Sequence, residues 1–130
     1  MSAGRVLIVE YSSPKSGSAH RAVEDVVPLD VAFLVHSTFG DDALKGEIVA
    51  LYRKQLAQAR EMIAAAATAS DWRFVMHTLK GASSAVGAMQ FAFLADEWER
   101  IVFPSEGQRQ HILNDFDLAK AAFLTAAQKL

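Results

Sequence analysis

From Asp30 to the C-terminus, apolar residues recur three and four positions apart almost without a break. A chain patterned this way buries its side chains as helices. Val31, Leu34 and Val35 follow Asp30, a good N-cap residue, and predict a short first helix that Phe39-Gly40-Asp41 breaks. Leu44, Ile48, Leu51, Gln55, Ala59, Met62 and Ala66 then form the stripe of the longest helix, which ends in an alanine run near Ser70. Ser70 and Asp71 predict the cap and first turn of a helix running through Val75, Leu79, Ala82 and Val86 to a stop at Gly87. Phe91, Leu94, Trp98 and Ile101 mark the next helix, closed by Pro104. Ser105, with Gln108 three positions on, predicts a capping box for a last helix whose inner stripe is Ile112, Phe116, Ala119, Phe123 and Ala127.

Four substantial amphipathic helices on short connections predict an all-α fold, an antiparallel up-down four-helix bundle with a short extra N-terminal helix across one end. The 130 residues are 52% hydrophobic and 22% charged, enough for one such core without staples. Residues 29–130 are the expected bundle domain. Residues 1–28 read as an irregular arm, because Ser12, Ser13, Pro14, Ser16, Gly17 and Ser18 lie between a short apolar patch and Pro28. Residues 5–10 would suit a buried strand, but no second strand follows for it to join.

With no cysteine, the chain has no disulfide, no thiolate nucleophile and no cysteine-type zinc site, which fits a reducing, cytoplasmic setting. The apolar patch at residues 6–9 is too short for a signal sequence, and no window approaches the roughly 20 apolar residues of a membrane span, so a soluble protein without membrane contact is expected. Thirteen basic residues scattered among 15 acidic ones give a net charge of -2, which argues against a nucleic-acid partner.

One helix stands out for chemistry. On a wheel advancing about 100° per residue, Val75, Leu79, Ala82 and Val86 lie within about 40° of the point opposite His77, so that stripe faces the core and His77 faces water. Within about 60° of His77 lie Arg73, Phe74, Lys80, Gly81, Ser84 and Ala88. Gly81 is about 1 kcal/mol worse than Ala in a helix interior, and on an exposed face one turn from an imidazole it implies close approach of another molecule. Lys80, beside the same ring, offers positive charge to an incoming anion. The combination reads as an imidazole that handles phosphate. His20, His36 and His111 have no such surroundings and read as bystanders.

The run His77-Thr78-Leu79-Lys80-Gly81-Ala82-Ser83-Ser84-Ala85-Val86-Gly87-Ala88 closely resembles the signature of histidine-containing phosphotransfer (HPt) domains. The likeness extends more weakly from Asp30 to Leu130, through Phe39-Gly40-Asp41, Asp71-Trp72 and Trp98-Glu99. Two positions depart from the family's habit, Met76 in place of a small residue and Ala95 in place of a frequent cysteine, and both lie off the His77 face. The resemblance implies that His77 is phosphorylated, that Lys80 steadies the phosphoryl group, and that Gly81 leaves room for a receiver domain. Arg73, Phe74, Ser84 and Ala88 would complete the docking surface. It further implies a monomeric phosphohistidine carrier, a histidine phosphotransferase with no kinase activity of its own toward ATP. Its partners would be receiver domains of a hybrid histidine kinase or of response regulators. No cofactor is expected on this chain, the magnesium belonging to the receiver. Glu99 is a candidate for orienting the second ring nitrogen.

Three other functions compete for a helical chain of this kind. A histidine kinase fragment would need a nucleotide-binding domain, and neither a Gly-rich loop nor spare residues exist for one. A carboxylate metal bundle needs Glu three residues before a His on two helices, whereas Gly17, Phe33, Phe74 and Gln108 hold those positions. A non-catalytic helical adaptor or dimerisation module would use the same amphipathic helices without the chemistry.

Overall fold

The computed structural model describes residues 23–130. Four of the five α-helices among the described residues begin where a side-chain oxygen meets the free backbone N–H groups of a first turn, whereas the helix that follows Ala88 has no side-chain cap. The Asp30 carboxylate accepts from Phe33 N at 3.0 Å and opens α1 (Val31–Ser37). Asp41 does the same for α2 (Asp42–Ala65), accepting from Leu44 N at 3.0 Å. Helix α3 (Ala69–Val86) is capped by Thr68, whose hydroxyl accepts from Asp71 N at 3.0 Å. The cap is therefore two residues earlier than the Ser70 expected from sequence, and Ser70 lies inside the first turn. The Asp71 carboxylate answers back by accepting from Ala67 N at 3.2 Å. Helix α4 (Met89–Glu99) stops two residues short of Ile101. Helix α5 (Glu106–Ala127) opens on the expected capping box, with Gln108 N donating to Ser105 Oγ and Ser105 N donating to Gln108 Oε1.

Two breaks rest on backbone geometry. Phe39 and Gly40 both take the left-handed conformation, at φ 54° and 72°, and so turn α1 into α2. Gly87, at φ 83°, ends α3 with Ala88 N donating to Ser83 O at 2.9 Å, a Schellman-type closure. A side chain at Gly87 would also meet Phe33 at 3.1 Å and the Asp30 carbonyl at 3.2 Å, because Asp30 N donates to Gly87 O and seats the start of α1 on this corner.

Helix α2 packs on α3, α3 on α4, α4 on α5, and α5 returns to α2, which closes the four-helix ring. Its core holds Trp72, Trp98, Tyr52, Phe91, Phe116 and Phe123, all fully buried. Tyr52 meets the Phe123 ring edge-on at 5.0 Å, and Phe91 meets Phe116 at 4.9 Å. Arg60 spans α2 and α5 with two hydrogen bonds to Asp117, while Arg109 on α5 donates to the Ile63 carbonyl at 2.7 Å near the end of α2.

The stripe of α2 differs from the sequence expectation. Tyr52, Leu56, Ala59, Ile63 and Ala66 are buried, whereas Leu51, Gln55 and Met62 are exposed and Leu44 and Ile48 half-buried. The helix carries two apolar rows about 100° apart, and the row holding the aromatic ring, with more area to remove from water, faces inward. At the other end of the chain the packing reaches back to a 3-10 turn at Val23–Asp25, where Val23 and Val26 are buried and Gln90 Nε2 donates to the Val26 carbonyl. The strand expected at residues 5–10 and the rest of the arm to residue 22 lie outside the described residues. No helix among the described residues is long and apolar enough to cross a membrane.

Candidate functional site

The rotation of α3 is set by what it buries. Trp72, Val75, Met76, Leu79, Ser83 and Val86 turn inward. Two polar contacts fix that register. Trp72 Nε1 donates to the Trp98 carbonyl at 3.0 Å, and the Tyr52 hydroxyl lies 2.6 Å from Ser83 Oγ inside the core. Burial pushes the Tyr52 phenol well above its usual range, so it stays a neutral partner for Ser83.

With that stripe inside, His77, Arg73, Phe74, Gly81 and Ser84 are exposed on the opposite face. Phe74 leaves 61% of its surface in solvent beside the histidine. The Gly81 backbone is ordinary helix, and a Cβ built there meets no atom within 4 Å. Among the described residues the glycine therefore serves no helix contact. Ala88 departs from the expected docking set, being buried at 0%. Gly87 takes the chain off the helical wheel, so extrapolating the wheel past it places Ala88 on the wrong side.

His77 lies in a shallow recess of about 330 Å³ lined by Ser70, Arg73, Phe74, His77 and Glu99. Lys80 stands at the edge of this surface, already engaged. Its ammonium is 3.0 Å from Glu99 Oε1 and 3.2 Å from Asp96 Oδ1, both on α4. Hydrogen bonds to Glu99 first and Asp96 second raise the Lys80 pKa above its ordinary value, so the ammonium is fully charged at neutral pH. Asp96 also accepts from Arg100 Nη2 at 3.4 Å. Glu99 thus shares the recess with His77, as its candidacy required, but its hydrogen-bond partner is Lys80 rather than the imidazole. Sequence reasoning missed Asp96 and Ser70. Asp96 falls one turn before Glu99 on α4, and only the packing of α4 against α3 brings that pair of acids to Lys80.

Chemically, the face offers a solvent-accessible imidazole, a bare backbone patch one turn along, and cations on both sides at Arg73 and Lys80. That arrangement suits an anionic group carried on a large partner. Among the described residues, no group of three or more His, Asp or Glu side chains is arranged to hold a metal ion. Comparison with curated proteins and with solved structures returned no match. The family model described as the Hpt domain matches residues 47–129, which takes in α3 with His77 and reaches through α5. Sequence signature, all-helical bundle and family match agree, and the chain belongs to the Hpt domain family, the phosphotransfer domains of two-component signalling that work with receiver domains.

Proposed function

We propose that this protein is a phosphorelay intermediate in which His77 accepts a phosphoryl group from the aspartyl phosphate of one receiver domain and passes it to another response regulator. The observation that carries this reading is the exposure of His77 in register with Gly81 and beside Lys80, on the helix that the family match covers. An imidazole is nucleophilic near neutral pH and forms a phosphorus–nitrogen bond labile enough to hand on.

In the forward step the unprotonated ring nitrogen of His77 gives its lone pair to phosphorus as the bond to the receiver's aspartate oxygen breaks. The electron pair leaves on the aspartate carboxylate, through a loose, in-line transition state. The receiver brings the magnesium ion, and this chain brings the nucleophile, a bare helix surface at Gly81 that lets the partner come close, and positive charge from Lys80 at the equatorial oxygens. The reverse of the same step loads a second receiver. Phe74, Arg73 and Ser84 form the contact surface around the ring. The protein works as a cytoplasmic monomer, takes no phosphoryl group from ATP alone, and needs no cofactor of its own.

The test is transfer from a phosphorylated receiver. The parent chain acquires an acid-labile, alkali-stable label, and His77→Gln, which keeps the same circular dichroism spectrum, acquires none. Label on His77→Gln overturns the assignment.

A further inference from the structure

Lys80 is tied down before any phosphoryl group arrives. An ammonium has three donors, and two of them are used on Glu99 Oε1 and Asp96 Oδ1. Two carboxylates face this one cation, and the second cation near Asp96, Arg100, reaches it only at 3.4 Å. A phosphoryl group adds about two negative charges at neutral pH. One donor remains for it, so closer engagement draws the ammonium away from the two carboxylates, and the Glu99 carboxylate, which lines the recess, then stands near the new anion. Arg73, on the recess itself, forms no ion pair with an acid among the described residues, so on this face the competition falls on Lys80.

We propose that Asp96 is a positioning residue which, together with Glu99, holds Lys80 in competition with the phosphoryl group and so shifts the phosphoryl equilibrium away from His77 toward the receiver. The proposal rests on the reading of His77 as the carrier. The step it biases is balanced. The His77 nitrogen–phosphorus bond breaks, a phosphorus–oxygen bond to the receiver's aspartate forms, and the ring nitrogen keeps its electron pair. The acids change only how strongly the chain favours the loaded side. Lys80, Asp96 and Glu99 keep 35%, 47% and 26% of their side-chain surface in solvent, so water screens the competition and the effect is a few-fold. A role in preparing Lys80 for the phosphoryl group would have the opposite sign.

The experiment measures the equilibrium division of label between this chain and a receiver at equal total concentrations, dilute enough that the complex does not accumulate. Under that condition the division depends on the free species and not on how tightly they dock, which separates this effect from a change in recognition. Asp96→Asn is expected to retain about two- to fivefold more label relative to the receiver than the parent. In a Lys80→Ala background the same change is expected to gain clearly less, because Asp96 acts mainly through Lys80. An unchanged or lowered ratio for Asp96→Asn overturns the proposal, and an equal gain without Lys80 overturns its route. A second measurement needs no phosphoryl group. The Lys80 side-chain pKa, followed by NMR on the unphosphorylated protein, is expected to fall in Asp96→Asn, and no change would dismiss the clamp. A parent that takes no label overturns the carrier reading together with what rests on it, whereas a labelled parent with an unshifted Asp96→Asn overturns the clamp alone.

Discussion

Replacing Gly81 separates a glycine kept for packing from one kept for a partner. Its backbone is regular helix, and an added Cβ meets nothing within 4 Å, so Gly81→Ala carries no steric penalty in the free protein. Better helix propensity and a less flexible unfolded chain should then stabilise the protein by about 0.5–1 kcal/mol. For a domain of this size that is a rise of about 2–5 °C in Tm. Gly81→Gln should gain somewhat less from propensity and, by the same reasoning, still melt no lower than the parent. Its side chain, however, projects from the exposed face one turn from His77. A displacement of about 1 Å in the reacting groups can cost about a hundredfold in rate, so transfer from a receiver should slow by a large factor while stability holds. Thermal melts and urea curves with an unchanged m value measure the first effect, and single-turnover transfer measures the second. A lower melting temperature for Gly81→Ala would mean that the glycine sits in a helix contact. Undiminished transfer by Gly81→Gln would mean that the partner docks elsewhere.

Leu79 is 3% exposed on the opposite face, and Leu79→Ala should cost about 2–5 kcal/mol as a core truncation; an unchanged urea midpoint would place the helix in another rotation. Thr68→Ala should cost about 1 kcal/mol through loss of the hydroxyl that caps α3, and Ser70→Ala close to nothing, the reverse ranking being evidence for a cap at Ser70. Lys80→Ala should slow single-turnover transfer while barely moving the melting curve, since its ion pairs are half in solvent and such pairs add little to stability. Equal rates for Lys80→Ala and parent would remove Lys80 from the reaction.

Much of this architecture is legible in the sequence because helix signals are local. The caps at Asp30 and Ser105, the break at Phe39-Gly40 and the stop at Gly87 depend on side chains and backbone freedom within a few residues. The face of α3 is equally local, for Val75, Leu79 and Val86 leave one side of the wheel to His77. Helix α2 is harder because Leu51 and Met62 compete with Tyr52, Leu56 and Ile63 for the inside, and the alanines between them lower the contrast. Burial of Tyr52, with its hydroxyl meeting Ser83, decides in favour of the second row, a tertiary fact that no window of sequence contains. The Thr68 cap was hidden by Ser70, an equally good capping residue two positions on. Asp96 was invisible for a different reason, since a charge gains its meaning at this site from the Lys80 ammonium 16 positions away on another helix.

A carrier of this kind holds its phosphoryl group on one residue, His77. Incubation of the parent chain with a phosphorylated receiver, followed by tandem mass spectrometry under alkaline conditions that preserve phosphohistidine, reads that residue directly. A single phosphorylated peptide with the added mass on His77 is the predicted result. Phosphate on His36, on His111 or on a serine of the 83–84 pair, or a chain left unmodified by a receiver that loses its own phosphate, would contradict it.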